Sequence, residues 1–388
     1  MRLDTFRVEG FRSIRDATLE LRDGVTLLIG ANGAGKSNVI GAMELLGRVV
    51  DNSFSEELLR MGGVRAQLHA SPTGDDAETI CLSVASKPRG SVPHGGDRFV
   101  NRYSVCLQAS DDDAPLIRET TGIHNIDKYD KAYETSYGLS ARSVIRRRAE
   151  ESDGITAATH IAAMAGGVRV FHVDDTSPQA PALQRADEAD DLTLHDDAAN
   201  LAPVLLRLKT HDRPRYDRIV RSVRVVAPFF DDFVLQPLGG HVQLRWRQIG
   251  MDRVFHGRFL SSGTLRFISL ATLLLQDSMP GVVVLDEPEL GLHPVAISQL
   301  AELLTAAAEH VQVVAATQSV PLLSCFAVDD VVLVDRTGGT TTLAAPPVEA
   351  LDAWLDEYTT GELWEMNLLG GMPGPDIVPP PREQGAAS

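Results

Sequence analysis

The stretch Val25-Thr-Leu-Leu-Ile-Gly-Ala-Asn-Gly-Ala-Gly-Lys-Ser-Asn38 decides the fold. Val25 to Ile29 is a short, unbroken apolar run, the pattern of a strand buried on both faces. Gly30, Ala31, Asn32, Gly33, Ala34, Gly35, Lys36 and Ser37 follow in the spacing G-x-x-x-x-G-K-S. Helical composition resumes from Asn38 to Val50, with Val39, Ile40, Met43, Leu46 and Val50 on one side. Strand, glycine loop and helix together make a phosphate cradle. Glycines let backbone N–H groups close on phosphate oxygens, and the helix start adds partial positive charge. The expected ligand is ATP with Mg²⁺. Lys36 would reach the β- and γ-phosphates, Ser37 would ligate the metal, and residues 30–38 would form the binding loop.

Two further segments fit the same chemistry. Val282 to Leu285 reads as a second buried strand, ending in Asp286 and Glu287. Asp286 is placed to hold Mg²⁺, directly or through water. Glu287, one residue on, leaves the opposite face of the strand and is placed to polarise an attacking water. Between the two strands, Leu260-Ser-Ser-Gly-Thr264 leads into a strongly helical run ending at Leu275. Ser261 and Gly263 at that helix start would form a second phosphate-binding surface.

These segments resemble the ABC-type ATPases of the RecF/SMC/OLD branch, in particular a subgroup of stand-alone bacterial "AAA family ATPases". The likeness is carried by Asp286-Glu-Pro-Glu-Leu-Gly-Leu-His-Pro294, by Leu260–Leu275 with its Arg-Phe-Ile core, and by Ala316-Thr-Gln-Ser319. Phe171–Ser177, Pro228–Phe233 and Gly361–Asn367 add to it, so it extends to about residue 371.

The resemblance implies an α/β P-loop NTPase fold, an ABC-type head of two lobes. Lobe I would combine residues 1–110 with 281–370. A large insertion, 111–280, would carry the signature, and 371–388 would be a disordered tail. It implies ATP hydrolysis, with Glu287, Lys36 and Gln318 at the reacting end. It also implies a nucleotide-dependent homodimer in which Ser261 and Gly263 contact the γ-phosphate held by the other copy. Two departures stand out. Ser262 occupies a position usually held by Asp in this subgroup, and Gln318 stands where many ABC ATPases have His. Gln can orient water but cannot take up a proton near neutral pH. Gln67 and Gln108 are both candidates for a Q-loop, and Arg12 is a further candidate phosphate contact.

Composition bounds the remaining readings. The 388 residues carry a net charge of −17, which excludes a surface that binds nucleic acid everywhere but permits a local basic face. Arg218, Arg221 and Arg224 share one side of a helix expected over 215–226; Arg142, Arg146, Arg147 and Arg148 form a second basic set. Either could meet DNA phosphates, and either could be a solvated face. The acidic stretch from Asp187 to Asp197 reads as a solvated loop. No apolar run is long enough to span a bilayer, and the first residues lack a signal core. A cytoplasmic protein with three reduced, mostly buried cysteines is expected. A transporter head fits poorly, because Lys36 and Leu260 lie 224 positions apart. The class readings left are a nucleotide-gated switch in DNA repair, genome maintenance or anti-phage defence, and a weakly hydrolysing scaffold for a separate effector such as a nuclease.

Overall fold

The computed structural model describes residues 2–71, 74–90, 96–152, 154, 156–355 and 357–370. The expected tail, 371–388, lies outside them. The chain packs as two compact units. One holds Met1–Arg169, Val331–Pro346 and the segment from Leu369; the other holds Val170–Asp330 and Pro347–Leu368.

The first unit is built on an antiparallel sheet whose strands run in the order Ile14–Glu20, Leu3–Phe11, Ile80–Ser86, Arg98–Ala109, Pro115–Asn125, Tyr133–Ser136, with Arg89–Gly90 pairing to one side. Alternation explains it: Ile80–Ser86 is buried at every second position, as a sheet with one covered face requires. The expected boundary at residue 110 would cut this sheet. Arg98–Ala109 and Pro115–Asn125 pair from Ala109↔Pro115 to Phe99↔Asn125, so the hairpin closes across it.

Val25–Ile29 is wholly buried and runs parallel to Val331–Thr337, which turns through Gly338 and Gly339 into Thr340–Ala344. Both glycines have positive φ, 60° and 83°, as a two-residue hairpin turn demands. Helix Lys36–Arg48 buries Val39, Ile40, Met43 and Leu46, the side expected from the sequence.

Cys81 and Cys106 correct the expectation of three reduced, mostly buried thiols. They are register partners on adjacent strands, with Cα atoms 4.1 Å apart, and are joined as a disulfide. Cys325 is free and exposed. Spacing along the chain could not show that the sheet sets two of the three side by side.

In the second unit, Val282–Asp286 and Gln312–Thr317 pair in parallel, connected through helix Pro294–Ala308. Helix Ser262–Leu275 is buried at every position from Thr264 to Leu275, so it is a core element rather than an amphipathic cover. Leu201–His211 and Arg213–Val226 pack as helices in the same unit. A small sheet of Phe230–Phe233, Arg245–Gln248 and Val254–His256 carries an aromatic cluster centred on Trp246. The run expected to be helical with turns over 351–369 resolves into Val348–Leu355 and Thr360–Glu365. Among the described residues no helix is long and apolar enough to cross a membrane.

Candidate functional site

The P-loop is built from the first unit's residues. Gly35 caps helix Lys36–Arg48 in the left-handed region, φ 112°, with no side chain satisfying the helix start. The helix start thus directs its partial positive charge toward the glycine loop. A Cβ on Gly30 would sit 2.0 Å from the Val334 carbonyl, and one on Gly35 would sit 2.0 Å from the Thr341 hydroxyl. Gly33 has positive φ and open space around it. The glycines thus serve two distinct needs, close packing behind the loop and left-handed turns within it.

Lys36 is buried, and its Nζ donates to the carbonyls of Gly30 at 2.9 Å and Ala31 at 3.3 Å. The ammonium is so held across the mouth of its own loop. Asn32, Gly33 and Ser37 are exposed. Asn38, expected to face the nucleotide, instead donates through Nδ2 to the Ser13 hydroxyl at 2.6 Å. Ser13 bonds the Thr341 hydroxyl at 2.6 Å, and Thr341 donates to the Ala34 carbonyl at 2.9 Å. This chain braces the loop from behind, and sequence reading missed both Ser13 and Thr341. Gln67 is buried; it accepts from Arg12 Nε at 2.8 Å and donates to the Met61 carbonyl at 2.9 Å. It holds Arg12, a non-glycine residue at φ 48°, against the P-loop helix near Gly41. Burial lowers the Arg12 pKa against the pull of Glu44. Gln108 sits within the long hairpin, opposite Leu116.

The second unit holds the carboxylates and the signature. Asp286 ends its strand half-buried, in register with Ala316. Glu287 takes φ 43°, a left-handed backbone that a β-carbon disfavours, and its N–H donates to the Ala316 carbonyl at 2.9 Å. Strain of this kind collects at functional positions. Gln318 Nε2 donates to Glu287 Oε1 at 2.5 Å. Two residues that the sequence placed 31 positions apart thus meet, and the amide leaves the second carboxylate oxygen of Glu287 for another partner.

Ser261 caps helix Ser262–Leu275, accepting from the Thr264 N–H at 3.1 Å. Ser261 and Ser262 are exposed, so the positive end of this long helix faces outward. A Cβ on Gly263 would lie 2.5 Å from the Gly291 carbonyl, so the helix start is packed on the turn that follows Glu287. Arg266, one turn in, is buried; it donates to the carbonyls of Leu290 at 2.8 Å and Asp174 at 3.1 Å, and approaches that of Glu287 at 3.5 Å.

Elsewhere in the second unit, Arg213, Arg218, Arg221, Arg224 and Arg247 surround an open groove of about 600 Å³. Asp217 and Asp231 neutralise part of it, pairing with Arg213 at 2.9 Å and with Arg224 and Arg247 at 3.4 and 3.5 Å. Arg218, Arg221 and Arg224 are exposed opposite buried Ile219, Val220 and Val223, as the helical spacing anticipated. In the other basic set, Arg146 is committed to Glu150 and the Val50 carbonyl, and Arg148 lies over the Tyr137 ring. Among the described residues no group of three His, Cys, Asp or Glu could hold a metal, the acidic stretch included.

Two family models match the chain: "AAA domain, putative AbiEii toxin, Type IV TA system" over residues 149–324, and "AAA ATPase domain" over residues 1–86. A DNA replication and repair protein RecF from Gloeobacter violaceus is 32% identical over 127 residues, 30% of this chain and 34% of that protein. The RecF of Parasynechococcus marenigrum is 40% identical over 118 residues, 29% and 32% respectively. The matched region thus spans about a third of the length of these curated relatives. An Smc head bound to the C-terminal winged-helix domain of ScpA superposes with a TM-score of 0.57 at 14% identity, covering 89% of this chain and 98% of that one. The Pyrococcus furiosus Smc head with an extended coiled coil, bound to the C-terminal domain of ScpA, gives 0.55 at 13% identity, covering 92% and 99%. At such identities the structural likeness speaks for the fold, and the sequence matches bear on the family. The chain has an α/β P-loop NTPase fold like that of the Smc heads, and over part of its length its sequence is similar to AAA ATPase domains and to RecF.

Proposed function

We propose that this chain binds Mg-ATP, hydrolyses it, and uses the nucleotide to switch two copies of itself between apart and paired. The contact between Gln318 and Glu287 carries the hydrolysis reading. A general base needs to be aimed, and an amide donor on one carboxylate oxygen fixes the other toward water. The uncapped helix start, Lys36 and the glycines that exclude side chains fit a triphosphate. Ser37 and Asp286 would hold Mg²⁺, which supplies charge neutralisation at the β- and γ-phosphates. Lys36 exchanges its carbonyl partners for phosphate oxygens, Glu287 accepts a proton from the attacking water, and Gln318 orients Glu287. Gln318 takes no proton itself, which favours slow turnover suited to a switch.

The exposed helix start at Ser261 and Gly263 is a second anion-binding surface, and the family resemblance assigns it to the γ-phosphate on the other copy. ATP then drives pairing by mass action and hydrolysis reverses it. The test is the solution mass of Glu287→Gln with and without Mg-ATP, beside wild type and Lys36→Ala. A shift from monomer to dimer with ATP, absent in Lys36→Ala, supports the switch. Unchanged mass with ATP demonstrably bound refutes the homodimer, and the scaffold that restrains a separate effector replaces it.

The work done by the switch is proposed to lie in DNA repair, genome maintenance or anti-phage defence. RecF relatives support the first two, and the third rests on the family resemblance alone. The arginine groove supplies a local basic face on a chain of net charge −17 and is assigned to DNA phosphates. Charge reversal at Arg218, Arg221 and Arg224 is expected to abolish salt-dependent DNA binding. Binding with an unchanged salt slope removes the groove from the reading.

A further inference from the structure

The hydrolysis chemistry uses Asp286 and Glu287 and asks nothing of the next carboxylate, Glu289. Yet Glu289 is 7% exposed, and burying a carboxyl without purpose is costly. Its Oε1 accepts from the Thr317 hydroxyl, and its Oε2 has no hydrogen-bond partner among the described residues. Thr317 is fully buried and accepts the Ser319 N–H at 2.9 Å. Ser319 in turn caps the next helix, accepting the Leu322 N–H at 3.3 Å. Gln318 lies between these two anchored residues. Its own side chain is the one that meets Glu287. On the other side, the Glu289 carbonyl accepts the Leu292 N–H at 2.9 Å, so the carboxyl is presented from a closed turn.

We propose that Glu289 is a positioning residue: through the Thr317 hydroxyl it fixes the backbone on both sides of Gln318, and so sets the contact between Gln318 and Glu287. The strand carrying the base and the segment carrying its orienting amide are thereby tied twice, once through the Gln318 side chain and once through the Thr317 hydroxyl beneath it. Burial, and secondarily the charge of Glu287, push the Glu289 carboxyl above the usual range. An amide at position 289 keeps the acceptor for Thr317.

This inference rests on the ATPase reading. The experiment measures kcat for ATP, the dissociation constant of a fluorescent ATP analogue and the melting temperature for wild type, Glu289→Ala, Glu289→Gln, Thr317→Val and Thr317→Ser. Glu289→Ala and Thr317→Val are expected to lose kcat by ~10–100-fold, the scale of a misaligned reacting group, with nucleotide affinity kept within about twofold. Glu289→Gln and Thr317→Ser are expected to stay near wild type. Thr317→Val preserves shape, so it carries the test if Glu289→Ala does not fold. Wild-type kcat in Thr317→Val, or equal losses in Glu289→Gln and Glu289→Ala, overturns the inference alone. No hydrolysis by wild type that binds ATP overturns the ATPase reading and this inference with it.

Discussion

Replacing Arg266 by Met separates stability from function in a way the geometry makes quantitative. Arg266 is 6% exposed and sits on the signature helix, with two good hydrogen bonds, to the carbonyls of Leu290 and Asp174. Its approach to the Glu287 carbonyl, 3.5 Å, is too long to count as a third. Two charge-assisted bonds are worth ~1.5–3 kcal/mol each before desolvation. Burial opposes them: it lowers the Arg266 pKa, partly offset by the attraction of Asp174, Glu289 and Glu287. Met fills most of the volume and removes the buried charge. Leu290 and Asp174 are exposed residues, so their freed carbonyls have access to water. The net stability loss should therefore be modest, ~1–2 kcal/mol. Function should suffer more, because the turn after Glu287 then loses its tie to the signature helix. Urea unfolding should show a lower midpoint with an unchanged slope. ATP should still bind. ATP-driven pairing of the Glu287→Gln background and kcat in the wild-type background should both fall ~10-fold or more. If stability falls by more than ~4 kcal/mol, or if kcat and pairing are untouched, the strut argument is wrong.

Three other outcomes follow from particular contacts. Thr341→Val removes the hydroxyl that joins the Ser13 hydroxyl to the Ala34 carbonyl, and should weaken nucleotide binding by roughly 5–30-fold, ~1–2 kcal/mol, with little change in melting temperature; isothermal titration with a non-hydrolysable analogue reads it. Glu119→Ala should cost ~3–5 kcal/mol, because this buried carboxyl accepts from the Tyr103 and Ser143 hydroxyls and from the Val144 and Ile145 N–H groups, and its loss leaves buried donors unmet; chemical denaturation reads it. Asp232 is opposed by burial, yet its bonds to Lys209 and Tyr216 hold its carboxyl below the usual range. Its contribution is then fully present above the unfolded carboxylate range and is lost as pH falls through the lowered folded value, so Asp232→Asn should flatten part of the acid limb of stability below about pH 4. Urea midpoints across that range check it, and an unchanged limb counts against the assignment.

What could be read from the sequence was what is local. The P-loop lies between its own strand and helix, and Gly35, Lys36 and Ser37 are consecutive. The Asp-Glu pair ends a strand whose apolar run is visible by itself. The arginine side of Arg213–Val226 follows from helical spacing alone; of the four residues expected opposite, Ile219, Val220 and Val223 are buried and Val226 is half-buried. What could not be read depends on strand pairing. Thr341 braces the P-loop from 307 positions away, and the only local sign is an unremarkable Thr run in a hairpin. The sequence could not locate a Q-loop, with Gln67 only one of two candidates, and gave no sign that Gln67 clamps Arg12, a pairing 55 positions long. Asn38 looked like a ligand because it follows Ser37, but its amide turns back to Ser13. Cys81 and Cys106 became partners only because two strands aligned them.

Glu119 and Glu289 make the same point from the side of energy. In the sequence each is one more acidic residue on a strongly acidic chain. Each is buried rather than meeting solvent; Glu119 holds backbone and hydroxyl donors, and Glu289 holds the Thr317 hydroxyl. Burying a carboxyl is unfavourable unless donors converge on it, and that convergence is set by segments distant in sequence. At Glu119 the donors are complete. At Glu289 one oxygen is left without a partner, two residues from the proposed base. A fold selected for stability alone gains nothing from that oxygen, since an apolar residue of similar size would avoid the cost. The oxygen that is used, Oε1 on the Thr317 hydroxyl, is the one proposed to position Gln318 against Glu287.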